Sequence, residues 1–253
     1  MAATLQSLQQ LLDTILSPDK FEDYCPNGLQ VEGAANVAKL VTGVTASQAL
    51  LDAAVEVNAD AVLVHHGYFW RGENAEIVGI KKKRIATLIE NNISLLAYHL
   101  PLDAHPIYGN NARLAELLGI ETLSGLFGDN ESSVGNIGQL PAPRLVADFV
   151  AVISSTLGRQ VQHIAGGPEV IQSVAWCSGA AQGYLDQAAD AGVDMYISGE
   201  ISEPTVHIAR ERGIHYIAAG HHATERYGVQ AVGAHVADQL GIEHCFIDID
   251  CPV

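Results

Sequence analysis

The sequence predicts an α/β fold of two similar halves, three layers deep, with a short inserted connection between them. Three observations carry this expectation. Strand-like and helix-like segments alternate, the same order of segments occurs twice, and the two occurrences share residues in register.

Leu5, Leu8, Leu12 and Leu16 recur at helical spacing in a polar context, and residues 1–10 lack the basic start of a secretory leader. Residues 38–44 read as a strand, and Thr45 with Gln48 forms a capping-box pattern opening a helix through Val57. Residues 61–66 are a short apolar strand ending in two histidines. A helix at 82–90, a strand at 93–99 and a helix at 110–118 follow. The order then returns at 171–177, 180–191, 194–198, 204–212, 214–219 and 223–240.

Identity supports the repeat. Residues 41–66 laid on 175–200 pair Ala46 with Ala180, Gln48 with Gln182, Leu51 with Leu185 and Asp52 with Asp186. Ala54 with Ala188 and Asp60 with Asp194 complete that set. Residues 111–121 share six of eleven positions with 233–243, ending in Gly119-Ile120-Glu121 and Gly241-Ile242-Glu243. The expected domains are therefore 1–121 and 171–253, packed as one metal-binding unit, with 122–170 an inserted connection carrying its own helix near 144–157. The first half also holds extra residues, most of them in 67–84. That places a loop at the carboxyl end of a strand, where open α/β sheets bind ligands.

Composition narrows the function classes. With 48% hydrophobic and 17% charged residues among 253, the chain can bury a substantial core. A formal charge of −16 disfavours binding to duplex nucleic acid. No apolar run approaches the ~18 residues of a membrane span. Cys25, Cys177, Cys245 and Cys251 form no Cys-x-x-Cys pair, which fits a reducing cytoplasm. The run Lys81-Lys82-Lys83-Arg84 reads as a solvated helix start.

Three segments concentrate metal-ligating side chains. Val64-His65-His66-Gly67 ends a strand, where alternation sends adjacent side chains apart, so that each imidazole can serve a different metal. Gly220-His221-His222-Ala223-Thr224-Glu225 passes from strand to helix. His221 and Glu225 stand four apart on one face, and a two-oxygen carboxylate there can bridge two cations. His99-Leu100-Pro101-Leu102-Asp103-Ala104-His105 is its counterpart in the repeat. Nitrogen and oxygen donors without thiolate suit Zn, Fe, Mn or Ni.

These segments, with Asn27-Gly28-Leu29-Gln30-Val31-Glu32-Gly33, resemble the GTP cyclohydrolase I type 2 homologues, or Nif-three-like proteins, of the compact YbgI type. The similarity spans nearly the whole chain. It implies a dinuclear metal site facing an interior cavity and a toroidal homohexamer. By motif it places His65, Asp103 and Glu225 on one metal and His66, His221 and Glu225 on the other. The chain departs from the family at Cys25-Pro26-Asn27, where many members carry Asp-Asn, so Asn27 receives no catalytic role. It departs again at Pro204 and His207, after Glu200.

Two divalent ions against Asp103 and Glu225 leave a locally positive site suited to a small anionic ligand, and bound water with its pKa lowered toward ~7 supplies a nucleophile. His99 and His105 are the candidates for proton transfer. Tyr68, Phe69, Trp70 and Arg71 lie in the extra loop, where aromatics can stack a purine and Arg71 can hold a phosphate. The expectation is a metal-dependent hydrolase acting on a nucleotide, GTP by family resemblance. The alternative is a metal-binding delivery or regulatory protein without turnover.

Overall fold

A computed structural model describes residues 2–128 and 132–253, so three residues of the connection at 122–170 lie outside it. In chain order, β1 (Ala3–Thr4), α1 (Leu5–Leu16), β2 (Gly28–Val31) and β3 (Asn36–Val37) come first. The first alternating run is β4 (Lys39–Thr45), α2 (Gln48–Glu56), β5 (Ala61–His66), α3 (Gly79–Glu90) and β6 (Ser94–Ala97). It continues into α4 (Leu100–Ala104), α5 (Asn110–Leu118) and β7 (Glu121–Gly125). The connection supplies β8 (Asn136–Leu145), α6 (Val146–Leu157) and β9 (Gln162–Ile164). The second run is β10 (Val170–Cys177), α7 (Leu185–Asp190), β11 (Met195–Ser198), α8 (Glu203–Arg212), β12 (His215–Ala218), α9 (His221–Leu240) and β13 (Glu243–Phe246).

The chain divides into two compact units. One comprises Met1–Leu102 and Gly228–Asp250, the other Asp103–Tyr227 and Cys251–Val253. The first holds a five-stranded sheet in the order β13-β4-β5-β6-β2, with β13, β4, β5 and β6 parallel and β2 antiparallel. The second holds a six-stranded sheet in the order β7-β8-β10-β11-β12-β9, parallel only through β10, β11 and β12. The strand that follows each run is thus built into the other run's sheet: β13 pairs with β4, and β7 with β8.

Both parallel cores obey one pattern. Leu40 pairs with Ala61 in the first sheet and Val174 with Met195 in the second, positions that correspond when 41–66 is laid on 175–200. Asp60 Oδ2 accepts from the backbone N–H groups of Ala38 (2.7 Å) and Lys39 (2.9 Å). Asp194 Oδ2 accepts from Gln172 (2.9 Å) and Ser173 (2.8 Å), the matching residues. In each unit an aspartate at the start of one strand closes the start of its neighbour.

Local signals explain most elements. Leu5, Leu8, Leu12 and Leu16 are all buried along α1, as their spacing predicts. α2 is capped by Ser47, whose Oγ accepts from Leu50 N–H at 3.3 Å, instead of by Thr45. Gln48 Nε2 donates to Asp52 Oδ1 (2.7 Å) and to Thr87 Oγ1 on α3 (2.9 Å), so the expected capping box does not form. The stretch expected as one helix at 180–191 is a 3-10 turn, Gln182–Tyr184, followed by the short α7. The connection is more than a linker with a helix, because β8 and β9 are full members of the second sheet. Pro141 and Pro143 obscure β8 in the sequence, and its ladder with β10 shifts register around them.

Separate cores fill the units. Leu50, Leu51, Val62, Val64, Leu88 and Leu95 pack together in the first. In the second, Trp176 is fully buried among Leu114, Phe149, Ile153 and Ile197, and its Nε1–H donates to the Asn111 carbonyl at 2.9 Å. Among the described residues no helix is long and apolar enough to cross a membrane.

Candidate metal centre

β5 carries His65 and His66 to the carboxyl end of the first unit's parallel strands, His65 fully buried and His66 half-buried. Directly after the strand, Gly67 has no room for a side chain. A Cβ on Gly67 would meet Gln30 Oε1 at 2.2 Å and Ala97 Cβ at 2.6 Å. Gln30 fastens the exit, accepting from Tyr68 N–H at 2.7 Å and donating to the carbonyls of Tyr68 (3.1 Å) and Pro26 (2.9 Å). Strict alternation would part the two imidazoles. At this strand end their centroids instead lie 4.5 Å apart, tilted by 46°.

Each ring is oriented at Nδ1. His65 Nδ1 lies 3.1 Å from the Tyr98 carbonyl, which only accepts, so the proton sits on Nδ1 and the lone pair on Nε2. His66 Nδ1 meets Thr45 Oγ1 at 3.0 Å, and His99 Nδ1 meets Asp23 Oδ1 at 2.7 Å. One ring nitrogen from each of His65, His66 and His99 lies within 4.8 Å of the others, a spacing at which three imidazoles could share an ion.

Asp23 and Asn27 hold His99 in place. Asp23 Oδ2 accepts from Asn27 Nδ2 and Leu100 N–H, both at 2.9 Å, and Asn27 Oδ1 accepts from His99 N–H at 2.7 Å. Burial pushes the Asp23 carboxyl up. Hydrogen bonds from His99 and Asn27, the His99 charge and the Leu100 N–H outweigh it and leave a pKa of about 2. Cys25 Sγ stands close to the same pair, but burial and the Asp23 charge push its thiol up to about 12, leaving it protonated at neutral pH. An open cavity of about 460 Å³, lined by Asp13, Asp19, Asp23, Cys25 and Asn27 among others, adjoins this segment.

The second unit has candidate ligands of its own, among them two buried carboxylates. Asp103, on α4, is buried, and its Oδ1 accepts from Ser178 Oγ at 2.8 Å and Asn110 Nδ2 at 2.9 Å. His221 opens α9. Its Nε2 lies 3.1 Å from Glu225 Oε2, one turn on, and its Nδ1 lies 2.7 Å from Glu200 Oε1. Burial pushes His221 down, but Glu225 and then Glu200 outweigh it and raise the pKa to about 9. Gly179, at φ +66°, crosses so near that a Cβ would lie 2.2 Å from Glu225 Oε1. Its N–H donates to Thr224 Oγ1 at 3.0 Å.

His105 is turned into its own loop. Its Nδ1 accepts from the N–H groups of Ile107 (3.1 Å) and Tyr108 (3.0 Å), and its ring stacks on Tyr108 at 5.2 Å. No candidate ligand grouping among the described residues includes it. His207 is exposed and meets Glu203 at 3.0 Å. The sequence gives no role to Asp23 or Ser178, and names Glu200 only as an acidic residue of the family pattern. Glu200 alone left a signal: laying 41–66 on 175–200 sets it opposite His66.

The donor set suits a divalent cation. The imidazole nitrogens and carboxylates carry orienting partners of the kind metal ligands require, and Gly179 leaves Glu225 the space its carboxylate occupies. Fold and side chains together define an α/β protein with candidate metal-ligating groups at the ends of its parallel strands. The chain belongs to the Duf34/NIF3 (NGG1p interacting factor 3) family, whose profile matches residues 3–252. It is 56% identical over 252 residues to a GTP cyclohydrolase 1 type 2 homolog of Pseudomonas aeruginosa, covering 100% of this chain and 99% of that one. With the homolog of that name from Escherichia coli K12 it shares 51% over 246 residues, 97% of this chain and 98% of the other. Among solved structures, protein ybgI, described as of unknown function, matches with a TM-score of 0.95 at 48% identity over 99% of this chain and 100% of that one. A Thermus thermophilus protein matches with a TM-score of 0.90 at 34% identity, with the same coverage of both chains.

Proposed function

We propose that the protein is a metal-dependent hydrolase acting on a nucleotide, with hydrolytic opening of the guanine five-membered ring of GTP as its reaction. In this reading His65, Asp103 and Glu225 hold one divalent ion, and His66, His221 and Glu225 hold a second. The observation that carries it is the preparation of the ligands. His65 is held through Nδ1 on the Tyr98 carbonyl, which places its lone pair at Nε2, and Asp103 and His221 are each anchored by side chains of their own unit. The names of the relatives supply the choice of GTP.

Divalent ions bound by these residues would acidify water and draw an anionic ligand to an otherwise acidic chain. The chain's own groups do the remaining work. His99, clamped through Nδ1 by Asp23, has Nε2 for moving a proton. His105 is the other candidate, its ring oriented through Nδ1 by the N–H groups of Ile107 and Tyr108. The assembly we propose is a closed homohexamer working in the cytoplasm.

The test is direct. Protein loaded with Zn, Fe, Mn or Ni is incubated with GTP, and mass spectrometry should find a product heavier by one water, lost on chelation. Full metal occupancy with no turnover of any nucleoside triphosphate would favour the metal-delivery or regulatory reading instead.

A further inference from the structure

The first residues of the loop after the histidine pair are tied down, and what they present is aromatic and cationic. Tyr68 is buried, with its hydroxyl donating to the Ala46 carbonyl at 2.8 Å. Phe69 then takes φ +64°, a left-handed conformation rare for an aromatic residue and often found beside functional sites. Trp70 is held at three points. Its backbone N–H donates to Glu73 Oε2 (3.1 Å), its carbonyl accepts from Glu73 N–H (2.9 Å), and its Nε1–H donates to the Gly67 carbonyl (3.1 Å). Arg71 N–H donates to the Tyr24 carbonyl at 2.7 Å, joining the loop to the Asp23 segment.

These residues wall one side of the histidine cluster. The Trp70 ring stands edge-on to His99 at 4.9 Å and lies 6.0 Å from His66. Tyr24, 55% exposed, meets His99 at 6.3 Å. The Arg71 guanidinium lies over the Tyr24 ring at 5.8 Å and donates through Nη2 to the Asp23 carbonyl at 3.0 Å. Its partners are thus a ring face and a neutral carbonyl. That differs from Arg113 and Arg212, which pair with carboxylates in this chain of 29 acidic and 13 basic residues.

We infer that Tyr24, Trp70 and Arg71 form the substrate-recognition wall of the proposed site, and that they take a planar heteroaromatic ring bearing an anionic group, such as a nucleotide. The ring lies against Trp70 and Tyr24, and the anion meets the exposed Arg71 donors. Position supports this beyond composition. The guanidinium is held by Tyr24 and Asp23 before any ligand arrives, so little ordering cost remains on binding. The extra residues of the first run place this wall only where the histidines are, since the second run joins β11 to α8 through residues 199–202 alone. The inference rests on the nucleotide reading above, and its test separates the two.

Tryptophan fluorescence provides the readout, because Trp176 is fully buried and Trp70 is the other tryptophan of the chain. Titrating the full-length, metal-loaded protein with GTP should quench emission, and Trp70→Phe should lose that quench. Arg71→Ala should weaken GTP binding by about tenfold or more, the scale of a charge-assisted hydrogen bond, and leave guanosine binding unchanged. Arg71→Lys should fall between the two. Absence of quenching by GTP, or equal GTP affinity in Arg71→Ala, would overturn the wall. GTP turnover with an unchanged KM in Arg71→Ala overturns the wall and keeps the hydrolase. Arg71-dependent quenching without turnover keeps the wall and removes the hydrolase.

Discussion

Two glycines set the positions of candidate ligands. Gly67 touches Gln30 and Ala97 so closely that Gly67→Ala should cost about 1–3 kcal/mol, the scale of overpacking in a filled site. For a chain of this size that lowers Tm by roughly 2–4 °C per kcal/mol, which calorimetry reads. Gly179→Ala drives a Cβ into the Glu225 carboxylate from a left-handed backbone, so metal affinity should fall at least ~10–100-fold. Gly183→Ala meets open space and serves as the control, with unchanged metal content. Ligand substitutions separate the proposed ions further. Glu225→Ala should weaken both, whereas His65→Ala or His66→Ala should leave near one equivalent after dialysis against a mild chelator. Two full equivalents in Glu225→Ala, by elemental analysis, would require a site drawn around another acid.

At the scale of elements, one edge of the second sheet should be pH-sensitive. His215 Nε2 lies 2.8 Å from the Pro168 carbonyl and so donates, which leaves Nδ1 to accept from His163 Nε2 at 3.1 Å across the β9–β12 pairing. Gly166 N–H approaches the same Nδ1 at 3.4 Å. Burial, and then the charge of His215, lower the His163 pKa below its ordinary 6.5. The folded state therefore favours the neutral ring. Its stabilisation is complete above 6.5 and is lost as pH falls from there toward the lowered value, because the unfolded chain binds the proton first. Amide exchange should show β9 losing protection as pH drops through 6.5, and His163→Gln should flatten that dependence. Equal pH dependence in the variant would place the sensitivity elsewhere.

For the whole molecule, the path of the chain matters more than the count of repeats. The boundaries between units fall at Leu102/Asp103, inside α4, at Tyr227/Gly228, inside α9, and at Asp250/Cys251, after β13. The first unit therefore needs β13 and the buried Val229, Val232 and Val236, all supplied from the end of the sequence. A chain stopped after Tyr227 loses them, and it should lack cooperative thermal unfolding of the first unit. A sharp two-unit melt from that fragment would contradict this dependence. The proposed homohexamer has its own check. Light scattering across micromolar concentrations should give one species near six chains, and monomer throughout would remove the ring.

Local chemistry wrote much of this into the sequence. The leucine spacing of α1, the apolar strands, the repeated Asp60 and Asp194, and the histidine and acidic motifs are all readable because each depends on neighbours within a turn or a strand. The hydrogen bonds that orient the ligands were not readable. His99 and Asp23 are 76 residues apart, Ser178 and Asp103 are 75 apart, and nothing in either residue type names its partner. The same holds for β7 and β13, whose sheets are set by which exposed edge each strand can reach after its helix. Periodicity fixes which face of a segment is buried. Only the packed tertiary structure decides what that face is buried against, because the pairing energy resides in contacts between segments and not in either one alone.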